Sequence, residues 1–411
     1  MKTLIASILL TVTGIASAAT PVPAAMPGYL KGYETLWAKD PRAAGMEWFK
    51  QANYGLFLCL SPASQVGQTG WQRADSNWAN QWHSKNATLP QDKHDRYLAD
   101  KFDGKLMSPT AENVLRSFTA ENFDADKIAD LAVAAGMKYI IFTTQHVLGR
   151  MYMFKTETSP LNSVALAPKR DFVAELAKAC QARNLGLFLY VATPYTSPVI
   201  RERYRTMLTE LLTQYGPIAG IWFDGIGEAY RRPSAFEPAE VSRLYALVRK
   251  LQPQCLISFK SGYTGEEDYL APEWHQCTYG PDGLPRIGKY GPDSVPDNIP
   301  ADIFKRWNKT LRYLFAETST TMLYQKGYKS AELWFDQPGT GAEHKTVQDV
   351  LAQYKIVRKR NQNFSLNIGL RGDGSIHPDD ERVLRAVGQR LATQTRMDLP
   401  AASSKKQEES K

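Results

Sequence analysis

Apolar and polar positions fall into blocks along this chain, and short continuous runs alternate with longer periodic ones. Residues 54–60 (YGLFLCL) form an apolar run of strand length. Farther on, 125–135 places Ile128, Leu131, Val133 and Ala134 at helical spacing and stops at Gly136, a residue suited to the left-handed position behind a helix. Residues 138–144 (KYIIFTT) are then rich in β-branched and aromatic side chains, the composition of a buried strand. The unit recurs three times: helix 171–184 and strand 185–192 (LGLFLYVA), helix 202–215 and strand 218–223 (IAGIWF), helix 238–251 and strand 255–259 (CLISF). Strand 331–335 (AELWF), helix 347–358, strand 363–368 and helix 379–391 complete the series.

Strand and helix in turn through most of a chain predict parallel βαβ units. So many units fit a closed (β/α)8, TIM-like barrel in one domain better than an open sheet. A doubly wound sheet is the runner-up, but no glycine-rich dinucleotide fingerprint follows any strand. Two long segments, 71–105 and 274–300, are rich in Gly, Pro, Trp and charge. Long loops of that kind form the functional face of a barrel.

The ends of the chain bear on its compartment. Lys2, a short apolar run and Ala16-Ser17-Ala18 read as a signal peptide over 1–18, so an exported protein, periplasmic or secreted, is expected. A linker and lead-in over 19–44, a catalytic domain over 45–395 and a disordered tail over 396–411 follow. No later stretch has the roughly 20 apolar residues of a membrane-spanning helix. The net charge of +8 is spread through helices and mixed with acids, which argues against nucleic acid and leaves an anionic polysaccharide open as partner. Four cysteines make no disulfide scaffold; Cys180 reads as core, and Cys255 with Cys277 could pair. Six scattered histidines give no metal-ligand spacing, so neither metal nor cofactor is expected.

Barrel chemistry sits at the C-terminal ends of strands. That rule selects 59–64 after the first strand, 145–146 after the second, 190–195 after the third, Asp224 after the fourth and Lys260 after the fifth. Asp224 stands at the end of IAGIWF with Gly225 behind it; its position alone suits a nucleophile and a turn-capping Asp equally. A glycosidase needs a second carboxyl, and Glu273, between Pro272 and Trp274, is the first candidate, with Glu266 as fallback and Glu317 third. Trp71, Trp78, Trp82 and Trp274 fall in the rim segments, where aromatic faces can stack on sugar rings.

These residues resemble a family. The stretch 48–57 (WFKQANYGLF) is similar to the opening "WFKDAKFGIF" of the α-L-fucosidases of glycoside hydrolase family 29. Residues 135–139 (AGMKY) are similar to "AGAKYVVLT", 169–187 to "KRDLVGELAEACRKRGLKLG", and 363–376 (NFSLNIGLRGDGSI) to "NLLLNIGPTPDGTI". The segment 211–225 (LLTQYGPIAGIWFDG) is similar to the one that carries the family's aspartate nucleophile, which maps onto Asp224. Residues 268–273 (DYLAPE) resemble the "DFxTxE" of the acid/base, which maps onto Glu273, and Lys260 falls where a substrate-binding Arg is common. The resemblance implies a retaining, α-L-fucosidase-like glycosidase on a (β/α)8 barrel, here without the C-terminal β-sandwich many members carry. His146, Trp78, Tyr190, Trp222, Lys260, Cys59 and Trp274 are the expected substrate-binding residues.

Two motifs depart from the family. Its "HWGPYS" is CLSPAS at 59–64, and its "KHHDGF" is QHVLGR at 145–150, which keeps His146 and loses the second His and the Asp. Each lost histidine removes a sugar hydrogen bond worth roughly 1–3 kcal/mol. Cys59, Leu60, Ala63 and Val147 would leave a larger, more apolar pocket for a modified sugar, with Arg150 either facing an anionic group or lying on the surface. The alternative is a catalytically inactive barrel that binds glycans.

Overall fold

A computed structural model describes residues 25–75, 92–93, 96, 99–100, 103–146, 148–192, 198–224, 238–259, 265–274, 277–279, 285–287 and 315–398. Six strands open the series: β1 (Tyr54–Cys59), β2 (Tyr139–Gln145), β3 (Gly186–Ala192), β4 (Gly220–Asp224), β5 (Leu256–Phe259) and β6 (Tyr269–Leu270). An antiparallel pair follows, β7 (Cys277–Tyr279) with β8 (Pro285–Ile287). Then come β9 (Phe315–Thr321), a small antiparallel sheet of β10 (Leu323–Gln325), β11 (Tyr328–Leu333) and β12 (Glu343–His344), and finally β13 (Asn363–Gly369).

Eight of these close into a barrel in the order β1-β13-β9-β6-β5-β4-β3-β2, with every neighbouring pair parallel. This is the (β/α)8 barrel that the sequence pattern predicts. The helices start where their caps dictate. Asp124 accepts a hydrogen bond from Lys127 N at 2.9 Å and opens Ala125–Ala134, while Asp171 accepts from Ala174 N at 2.9 Å and opens Phe172–Ala182. Gly136 takes the left-handed conformation behind the first of them, with φ 81°.

Side chains alternate between the two faces of each strand. Leu56, Leu58, Ile140, Phe142, Leu187, Leu189, Ile221 and Phe223 join the outer cluster beneath the helices. Phe57, Cys59, Tyr139, Ile141, Phe188, Tyr190 and Trp222 join the inner one. The N-terminal end of the barrel is stoppered by the helix Pro41–Ala52. Its Phe49 ring lies 4.6 Å from Tyr269 and 5.2 Å from Phe188, and its Trp48 lies 4.6 Å from Tyr29. Strand glycines make the room: a Cβ on Gly55 would meet the Tyr139 ring at 2.1 Å, and one on Gly186 would meet Trp48 at 2.3 Å.

Two expectations change. The region 331–335 is no barrel strand; β11 belongs to the small sheet outside, and the barrel position is filled by β9. β9 escapes an apolar-run criterion because its inward residues Glu317, Ser319 and Thr321 are polar. The lead-in is folded, with Tyr29 and Leu30 buried against the barrel. Cys255 is a buried free thiol, not half of a disulfide with Cys277. Residues 1–18 lie outside the described residues, as do Trp78, Trp82, Val147, Lys260 and the tail beyond 398. No helix among the described residues is long and apolar enough to cross a membrane.

Candidate active site

β4 carries Gly220, Trp222 and Asp224 on its inward face, so the strand that ends in Asp224 also builds the layer below it. Opposite Asp224 in register stands Ala192, whose small side chain leaves space beside the carboxyl. One layer down on β3, Tyr190 reaches up, and its hydroxyl donates to Asp224 Oδ2 at 2.5 Å. Burial raises the Tyr190 phenol well above its ordinary value, and the negative charge of Asp224 raises it further, followed by Cys59 and Glu273. Tyr190 is therefore an obligate donor, and a donor bonded to a carboxylate favours its ionised form.

The charges around this phenol gather the site. Asp224, Cys59 and Glu273 all act on one phenol, so the two candidate carboxylates and the residue at the end of β1 converge on it. Glu273 follows β6 with the inward alternation of Tyr269 and Ala271, is 9% exposed, and pairs with Ser319 through a parallel bridge. His146, half-buried, stacks on Tyr190 at 5.6 Å and packs against Phe335 at 5.0 Å. Its Nδ1 accepts from Leu148 N at 3.0 Å, so in the neutral ring the proton is on Nε2.

Trp222 forms the floor. It is 1% exposed, stacks on Tyr190 at 5.4 Å and meets Phe57 edge-on at 5.5 Å. Its indole N–H donates to Glu317 Oε1 at 3.3 Å. Glu317 is wholly buried, and burial pushes its carboxyl up to about 7 against the lowering effect of the Trp222 indole N–H and the nearby Tyr139 and Ser365 hydroxyls. Residues 317–321 of FAETSTT are all polar, so no alternation in the sequence marks this segment as lining the interior.

Other candidates lie elsewhere. Glu266 is exposed, accepts from Ser242 on the helix Pro238–Leu251 at 3.2 Å, and precedes β6, on the side of the barrel away from Asp224. It is removed as a fallback acid. Trp274 has the opposite alternation to Glu273 and packs against the outer cluster, so its indole is not a wall beside that carboxyl. Leu60 also belongs to the outer cluster, whereas Cys59 and Ala63 face inward. Arg150 is neither on the surface nor facing an open pocket: it is buried and paired with Asp75 at 2.6 Å. Among the described residues no group of three or more His, Cys, Asp or Glu is arranged to hold a metal ion.

A carboxylate ending β4, held by a tyrosine of β3 above a tryptophan floor, sits in a stretch that matches a known profile. The profile is that of Alpha-L-fucosidase, and it matches residues 25–279. The chain belongs to the alpha-L-fucosidase family. Among family relatives, mouse tissue alpha-L-fucosidase is 26% identical over 369 residues, 84% of this chain and 69% of its own length. Putative alpha-L-fucosidase 1 of rice is 25% identical over 61% of this chain, and the match spans 53% of the rice protein. The chain thus spans about half the length of one relative and just over two thirds of the other. An alpha-L-fucosidase from Lactobacillus casei, solved in complex with alpha-L-fucose product, shares the fold with a TM-score of 0.57 at 21% identity, over 86% of this chain and 99% of that one.

Proposed function

We propose that this member of the family is a retaining glycosidase that removes a terminal fucose-like or modified sugar from oligo- or polysaccharides. The hydrogen bond from Tyr190 to Asp224 at the mouth of the barrel carries the reading, because it holds a carboxylate oriented at a strand end. Asp224 attacks the anomeric carbon as the glycosidic C–O bond breaks, and Glu273 gives its proton to the departing oxygen. Water then attacks the same carbon, Glu273 takes its proton, and the ester to Asp224 breaks. His146 Nε2–H is suited to a sugar hydroxyl.

The test uses 4-nitrophenyl α-L-fucopyranoside and a panel of substituted aryl glycosides. Asp224→Gly should lose at least about 10³-fold in kcat and regain turnover with added azide, which replaces the missing nucleophile. Full turnover in Asp224→Gly without azide would refute the assignment. A second reading, a glycan-binding barrel without turnover, is favoured by Cys59 and Val147 standing where the family has histidines. Fucose binding by calorimetry with no hydrolysis of any panel member supports that reading. Export rests on the leader-like pattern of 1–18; a mature N-terminus at Ala19 supports it, and an intact Met1 counts against it.

A further inference from the structure

We infer that Glu317 is a positioning residue of this site: as a neutral carboxylic acid it fixes the Trp222 indole as the floor beneath Tyr190 and Asp224. The inference rests on the reading of Asp224 as nucleophile and adds to it a third carboxyl, one that does not touch substrate. Three observations carry it. Glu317 comes from β9, on another side of the barrel from β4, and is fully buried. Its Oε1 receives the Trp222 indole N–H, and the hydroxyls of Tyr139 from β2 and Ser365 from β13 lie against the same carboxyl. Trp222 in turn stacks on Tyr190, whose hydroxyl holds Asp224. A shift in Glu317 therefore passes to the nucleophile through two rigid aromatic rings.

Its protonation state follows from its surroundings. The groups that face it are the phenols of Tyr139 and Tyr269, the Ser365 hydroxyl and the Trp222 indole. Among the described residues no lysine or arginine acts on its carboxyl, so none of them offsets the desolvation of a negative charge. Burial therefore holds it at about 7. Below that pH the neutral acid accepts from the indole through its carbonyl oxygen. Above it, a carboxylate draws the surrounding hydroxyls toward itself and adds charge to an interior that already holds Asp224 and Glu273 near its mouth.

The experiment compares the full chain with Glu317→Gln and Glu317→Leu. Infrared difference titration reads the carbonyl band of a protonated, buried carboxylic acid. The band should persist to near-neutral pH in the unaltered protein and vanish in Glu317→Gln. With 4-nitrophenyl α-L-fucopyranoside, Glu317→Gln should keep kcat within about threefold and move the alkaline limb of its pH profile upward. Glu317→Leu, which cannot receive the indole N–H, should lose about tenfold or more in kcat with little change in KM. An infrared titration identical in Glu317→Gln and the unaltered protein overturns the inference, as does an unmoved alkaline limb. The infrared arm needs neither turnover nor a folded Leu variant, so it reports on the Glu317 carboxyl separately from the Asp224→Gly test of the nucleophile.

Discussion

Tyr190 is the side chain on which the candidate chemistry turns, because burial and the neighbouring carboxylates both keep its proton in place. Removing only the hydroxyl, as Tyr190→Phe, leaves the stacking on Trp222 and deletes a hydrogen bond to a charged group worth about 1.5–3 kcal/mol. The expected loss in kcat is roughly 10- to 100-fold, with KM nearly unchanged, read by steady-state kinetics on an aryl fucoside. Arg150 and Asp75 present the opposite case, a pair whose value is structural. Asp75→Asn leaves a guanidinium buried with its ion pair lost, at a cost of about 3 kcal/mol, measurable by urea unfolding. At this scale the sequence was legible where a residue's position follows from a strand end, as for Asp224. It was not legible where the role depends on what faces the side chain, and nothing in the local sequence of Arg150 names Asp75 as its partner.

Strands and helices were readable when one face of an element was apolar throughout. β1 to β5 and β13 announce themselves that way, and the helices between them begin at identifiable caps. β6 is two residues long, and β9 turns polar residues inward, so neither carries a run to detect. The AELWF run drew the strand assignment instead, yet its Trp334 and Phe335 pack toward the inner cluster from outside the barrel sheet. The helix Pro41–Ala52 supplies a sharper test of how the barrel is closed. Phe49→Ala removes a fully buried ring at the centre of the aromatic stopper and should cost about 4 kcal/mol in denaturant unfolding. Gly55→Ala should also destabilise, by about 1–3 kcal/mol, because its methyl would overlap the Tyr139 ring unless the ring shifts.

For the molecule as a whole, Glu317 ties stability to pH. Its carboxyl has an ordinary value of 4.5 and stands at about 7 in the fold, so between those values the native state holds a proton that the unfolded chain has released. The sign follows: stability is greatest below about 4.5 with respect to this group and falls as pH rises toward 7, by about 3 kcal/mol in all. Glu317→Gln should flatten that decline, and melting temperatures collected from pH 5 to about 8 would show whether it does. Other buried groups add their own slopes, so the difference between variant and parent is the informative quantity.

The aromatic stopper at the N-terminal end also has a bearing on traffic. With the N-terminal end filled by Phe49, Trp48 and Tyr269, a departing aglycone and an incoming water reach Asp224 through a doorway at the C-terminal end of the barrel. Any alcohol that lingers there competes with water for the sugar held on Asp224. Under the proposed mechanism the balance between hydrolysis and sugar transfer is thus set by crowding at the doorway rather than by the carboxylates. Raising acceptor concentration should shift products toward new glycosides without slowing release of the nitrophenol.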